Sequence, residues 1–255
     1  RPIPDAAGVL RTVAAFVALL LLDGLLLALA GGPDSLPAWR RLFSLRTLFS
    51  RHALWQEVGR EFMMMLRHPI TISYYGVIGL MIAVMGVWLR VHGWADGYVV
   101  LLLAALLGTG SETAYGRTRA VDRVRAEMGG GLVRPSLVRM GVMTAVSALS
   151  YLICSVALVP PEGFVLVWVY LPLVFCVSSV CYLAGTVVPF SDAAPASMVL
   201  TGVVGVVMET LVLLIQYYVV PAQTMAVILF DFLAALGACA ASLQIARHRG
   251  PSMGA

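Results

Sequence analysis

The sequence predicts an all-α, polytopic membrane protein of about six to seven transmembrane helices, with an interfacial amphipathic helix and a short cytoplasmic helix between spans. Three observations carry this. Hydrophobic residues make up 60% of the chain and charged ones 12%, with a mean hydropathy of +0.93, so polar groups are too few to cover a soluble surface. The apolar residues fall in long uncharged runs near the roughly 20 residues that cross about 30 Å of hydrocarbon. The arginines collect in alternate gaps between those runs, which by the positive-inside rule marks those gaps as cytoplasmic.

Residues 9–30 form the first expected span, closed by Gly31, Gly32, Pro33 and Asp34. A stretch of different character follows. Trp55, Val58, Phe62, Met65 and Leu66 recur at helical spacing, with Gln56, Glu57, Arg60, Glu61 and Arg67 on the other face and Met64 as the exception. That pattern predicts an amphipathic helix lying in the interface plane, which Pro69 ends by disfavouring helix at His68. The second span is expected at 70–89. A shorter one, around 98–111, borrows its flanks, with Asp96 and Glu112 snorkelling to opposite interfaces.

The loop after it, 111–134, carries an expected cytoplasmic helix over 118–128. An Arg119–Asp122 pair at i+3 and an Arg123–Glu127 pair at i+4 support it, and Gly129 to Gly131 stop it. Spans at 140–160, 163–191 (with Pro172 as a kink), 194–218 and 222–246 complete the set. The last two are joined by a tight Val-Val-Pro-Ala turn and are expected to form a helical hairpin. Threading the arginines gives an alternation: interfacial helix inside, 90–96 outside, 117–139 inside, 160–163 outside, Asp192 inside, Pro221 outside, and the C-terminus inside with Arg247 and Arg249. Arg1 to Asp5 then lie outside. A chain that starts with Arg1 reads as a processed or truncated product, or as the second half of something longer.

Several function classes are disfavoured. The net charge of +4 and pI near 9.0 are accounted for by loop arginines facing an anionic leaflet, so no nucleic-acid role follows. Cys154, Cys176, Cys181 and Cys239 lie inside apolar runs, and His52, His68, His92 and His248 are scattered, so neither a disulfide framework nor a metal site is expected. There is no HExxH and no GxSxG, hence no catalytic residue to name. Every basic residue other than histidine is arginine, which fits a bacterial genome of high GC content.

The order of interfacial helix, two spans, cytoplasmic helix and four more spans, over 54–246, resembles the membrane (permease) subunit of ABC transporters of the type-2 permease class, an exporter type. Arg60-Glu61-Phe62 and Leu66-Arg67-His68-Pro69 look like the family's Arg-Glu interfacial helix ending in Leu-Arg-x-Pro. Glu112 with Tyr115 and Gly116 is similar to the glycine-marked stretch that leads into its coupling helix. The chain departs from the family in three places. Met128, three glycines and Arg134-Pro135 stand where a Leu-Pro or Ser-Pro step is usual, the Pro221 turn leaves no room for external helices, and an extra first span is present. That span sets 1–35 apart from a permease domain over 36–255. In a fused twelve-span permease it would be the last span of a preceding half.

The resemblance implies a protein that carries substrate and hydrolyses no ATP itself. It would bind no cofactor, with ATP and Mg on a partner ABC ATPase subunit, and it would work with a second permease half. The absence of lysine agrees, since a P-loop needs one. The implied coupling residues are Glu112, Arg117, Arg119, Asp122, Arg123, Arg125 and Glu127, joined by Trp55, Arg60, Glu61, Phe62 and Arg67 of the interfacial helix, in a bacterial plasma membrane. Asp23, Glu209 and Asp231 are the acidic residues within spans. Glu209 and Asp231 lie about 13 to 14 Å below the outer turn on adjacent helices, by a rise of about 1.5 Å per residue. They allow an alternative reading, a proton-linked secondary transporter or channel in which they relay protons.

Overall fold

The computed structural model describes residues 53–67, isolated positions between 78 and 88, and 96–189, 195–220 and 223–252. The expected span at 9–30, most of that at 70–89, Asp23, and the turns at 90–95, Asp192 and Pro221 lie outside the described residues. Everything described is helical or turn, and no strand occurs among these residues.

Helix α1 (Ala53–Arg67) is the amphipathic segment. Helix α2 (Asp96–Gly108) runs without a break into a 3-10 segment (Thr109–Glu112) and then α3 (Thr113–Glu127). After the glycine turn come α4 (Val133–Leu158), a second 3-10 turn (Pro161–Gly163), α5 (Phe164–Val187), α6 (Pro195–Val219) and α7 (Thr224–Ser252). Five stretches are long and apolar enough to cross a membrane: Val99–Gly116, Val133–Val156, Pro161–Val187, Val199–Val219 and Thr224–His248. The chain is a multi-pass helical membrane protein by this measure.

Two boundaries differ from the sequence reading in ways that matter for the site. The short span does not end at Ser111, nor does Glu112 snorkel to an interface. Thr113 keeps the chain right-handed (φ −76, ψ −15), so α2 and α3 are one rod. Helix α4 starts at Val133, not Met140, because Pro135 falls in its first turn, where a missing N–H costs nothing and the ring favours helical φ. Arg134 and Arg139 therefore belong to a helix and not to a loop. The stop at 129–131 is as expected. Gly129 takes φ +75, and the N–H groups of Gly129 and Gly130 close onto the Ala126 and Arg125 carbonyls, an αL termination that favours glycine.

Helix α5 is the hub, packed against α2, α3, α4, α6 and α7. Pro172 within it removes one backbone donor, and one turn above, Tyr151 of α4 donates its hydroxyl to the Val167 carbonyl at 2.9 Å. One apolar cluster joins α2, α4 and α5 through Val100, Leu103, Tyr151, Leu173 and Val177, with Ile78 and Ile82 added from the partly described segment. A second joins α1, α3, α4 and α5 through Met65, Ala114, Met140, Met143 and Tyr182. The stretch Val99–Gly116 is 72% buried, whereas those of α6 and α7 are 17% buried, so the rod is interior and the last two helices are peripheral. The expected hairpin is loose, since α6 and α7 pack on α5 far more than on each other.

Candidate functional site: a buried arginine joining three helices

The densest polar constellation among the described residues centres on Arg139 of α4. Its Nη1 and Nη2 donate to the two carboxylate oxygens of Asp122 on α3, at 2.9 and 3.0 Å. Its Nε donates to Glu61 Oε2 on α1 at 3.1 Å. Arg139 and Glu61 are 1% and 2% exposed as side chains, and Asp122 is 3% exposed, so the group is sealed from solvent. Thr118 adds its hydroxyl to Asp122 at 3.4 Å.

The residue types follow from the geometry. A planar guanidinium offers parallel donors to one carboxylate and keeps a third donor, Nε, for another, which a lysine would not do. The triad also explains why these helices meet here. Placed alone, any of the three charges would be costly in such a setting. Joined, they tie α1, the rod and α4 at one point. Around them Met65, Ala114, Met140 and Tyr182 close off water.

This corrects two sequence assignments. Asp122 does not pair with Arg119, which is exposed; its carboxylate is turned inward to Arg139 because α3 presents that face to α4. Glu61 does not lie on a solvated polar face of α1. It packs against α4 together with Met65 and Phe62 of the apolar side, and Trp55, expected on the apolar side, is 52% exposed. At the rim, Glu57 and Arg134 form a second tie between α1 and α4 at 2.8 Å, half open to solvent and correspondingly weak. Arg60 is exposed, and Phe62 packs partly buried on the second cluster. The expected Arg123–Glu127 pair is present on the outer face of α3 at 3.1 Å.

Glu112 is also inside. It is 8% exposed, with its main-chain carbonyl against Gly185 of α5 and its carboxyl oxygens against Gly202 and Gly205 of α6. Burial removes both Glu112 and Asp122 from any surface a partner could touch. What α3 does present outward is Arg119, Arg123 and Glu127 beside an apolar stripe, Val121, Val124 and Met128, the last 82% exposed. Arg125 is half-buried, its side chain lying over Gly130. The side chains of Arg117 and Arg67 lie outside the described residues.

Glu209 and Asp231 are both buried within their helices but are engaged differently. Asp231 accepts a hydrogen bond from Gln216 Nε2 at 3.0 Å, across the α6–α7 turn. Glu209 is within electrostatic reach of Glu112, with Cys181 of α5 near both. Among the described residues no group of three His, Cys, Asp or Glu side chains is placed to hold a metal ion. Sequence reasoning missed Arg139, which it grouped with the loop arginines. The available signal was Arg134-Pro135, a helix start that carries Arg139 one turn deeper.

No family model, no curated protein and no solved structure matches this chain.

Proposed function

We propose that the chain is the membrane-embedded permease half of an ATP-driven exporter in a bacterial plasma membrane, its C-terminus cytoplasmic. A separate nucleotide-binding subunit binds ATP and Mg and docks on α3, and a second permease half, a copy or a relative, completes the pathway. The observation that carries this reading is the rod: an interior span that continues, without a loop, into a short helix reaching beyond the apolar stretch, where Arg139 ties it to α1. A force applied to α3 is delivered directly to α2, in the middle of the bundle. A connector with no partner has no need of so direct a link to the bundle interior.

The outer face of α3 fits a protein contact. Val121, Val124 and Met128 lie at i, i+3 and i+7, an apolar stripe on an otherwise charged helix, with Arg119 and Arg123 beside it. A cleft with an apolar floor and an acidic rim is the complementary surface.

The test is to purify the protein from its native membrane in mild detergent and identify what accompanies it. A stoichiometric ATPase subunit is expected. It should be released by Val124→Glu with Met128→Glu, two exposed positions whose replacement leaves the bundle intact. A homogeneous protein with no ATPase, whose transport collapses with the proton gradient, would overturn the reading. That outcome would favour the proton-linked alternative through Glu209 and Asp231, which are both buried within their helices.

A further inference from the structure

We propose that the 3-10 segment Thr109–Glu112 is a conformational joint, which winds to α-helix when α3 is released and thereby shortens and turns the rod. The proposal concerns the rod itself and holds whichever partner moves it.

Four features point to it. Short 3-10 stretches inside a longer helix recur at hinges, and this one joins α2 to α3 inside the apolar stretch Val99–Gly116. Gly108 before it (φ −70, ψ −30) and Glu112 at its end (φ −62, ψ −29) have dihedrals within reach of either helix type, so conversion crosses no forbidden region. Its hydroxyls also serve the backbone. Thr109 donates to the Leu106 carbonyl at 2.7 Å and Thr113 to the Gly110 carbonyl at 3.0 Å, partners three residues back that keep these carbonyls satisfied while main-chain bonds exchange. Ser111 Oγ is buried and has no hydrogen-bond partner in this form, a cost that a differently wound form relieves.

The neighbours pack close to the segment through glycines. Gly185 of α5 lies against the Glu112 main chain, Gly205 of α6 lies against its carboxyl group, and Gly108 itself faces Val177 closely enough that a Cβ would stand 2.6 Å from it. These faces carry no side chain that interdigitates with the segment.

The size of the motion follows from helix geometry. Four residues wound from 3-10 to α shorten the path by about 2 Å and unwind it by about 80°, from rises of about 2.0 and 1.5 Å per residue and turns of about 3.0 and 3.6 residues. A rotation of that size takes Asp122 off Arg139. Breaking the buried ion pair and rewinding the joint are then one event, and the pair holds the 3-10 form.

The test uses the full chain in lipid nanodiscs, with a ketone-bearing amino acid at positions 124 and 149 coupled to nitroxide labels, so that native cysteines stay in place. Both positions are exposed, on α3 and α4. Electron–electron distance measurements should give one distance in the parent. Asp122→Asn should add a second, discrete distance displaced by up to about 7 Å, given a side-chain radius of about 5 to 6 Å. Gly110→Ala, which favours α-helix and leaves Ser111 and every residue of the Arg139 tie in the chain, should add the same second distance. A control pair at 149 and 168 should not change. A single unshifted distance in both variants, a structureless broadening, or a change in the control pair would each overturn the proposal.

Discussion

Arg139→Met tests the clamp most directly. The substitution keeps the length of the aliphatic stem and deletes the cation, leaving Glu61 and Asp122 facing each other in a pocket where both are nearly sealed. The variant loses three charge-assisted hydrogen bonds of 2.9 to 3.1 Å, and two carboxylates are left without a cation. Removing one partner from a buried ion pair typically costs about 3–5 kcal/mol. Both acids are orphaned here, so the loss should fall at the upper end of that range. Reversible unfolding in mixed micelles, followed by helical circular dichroism, measures it. The companion variant is the triple replacement Glu61→Leu, Asp122→Leu and Arg139→Met, which removes all three charges together and should recover most of the loss, since apolar isosteres of a buried ionic group are commonly neutral or better. A single variant within about 1 kcal/mol of the parent would refute the burial and bonding described for the triad, because a sealed pair of carboxylates cannot lose its cation at so small a cost.

Three further expectations follow from particular contacts. Gly185→Ala sets a Cβ against the Glu112 main-chain carbonyl of the 3-10 form and should cost about 1–3 kcal/mol, whereas Gly141→Ala and Gly237→Ala meet nothing within 4 Å and should be neutral or slightly stabilising by the same unfolding assay. Tyr151→Phe removes only the hydroxyl that reaches the Val167 carbonyl and should cost about 1 kcal/mol; a loss below about 0.3 kcal/mol would show that the Pro172 turn does not rely on it. A double-mutant cycle on Gln216→Ala and Asp231→Ala should give a coupling near 0.6 kcal/mol, the usual size for a hydrogen bond between membrane helices, and a coupling of zero would remove this contact from the α6–α7 junction.

The spans were legible because lipid leaves a signal that survives without context. A run such as 163–191 has to be apolar all round, and the five stretches found here overlap five of the expected ones. The site was less legible, for a physical reason. Charge seen in sequence reads as solvent exposure, and this is true of Arg119, Arg123 and Glu127 but false of Arg139, Asp122, Glu61 and Glu112, which are paired or packed across helices 50 or more residues apart or joined end to end. The Arg119–Asp122 and Arg123–Glu127 spacings were equally good on paper. Only the second is made, because Asp122 had a buried guanidinium to meet and Glu127 did not. Gly185, Gly202 and Gly205 gave no hint of a shared role, since the helices that carry them approach Glu112 only in three dimensions.

Why the chain should keep an ionic clamp at all follows from comparing it with the apolar alternative. The triad's net gain over a well-packed hydrophobic cluster is small or negative, because the attraction between its charges is offset by the cost of taking them out of water. Stability alone would therefore not select it. An apolar patch of the same volume would hold α1, α3 and α4 together with little regard to rotation, whereas the two parallel bonds from Arg139 to Asp122 exist at one rotational setting of α3 and are lost a fraction of a turn away. The clamp thus specifies an angle as well as a contact, and it is broken in one step. That separates two properties the triple Leu, Leu, Met variant can resolve. Its stability should stand near the parent's, while its α3 should sample more than one rotation relative to α4. A triple variant that is both as stable and as narrowly oriented as the parent would mean that shape, and not charge, sets the angle of the rod.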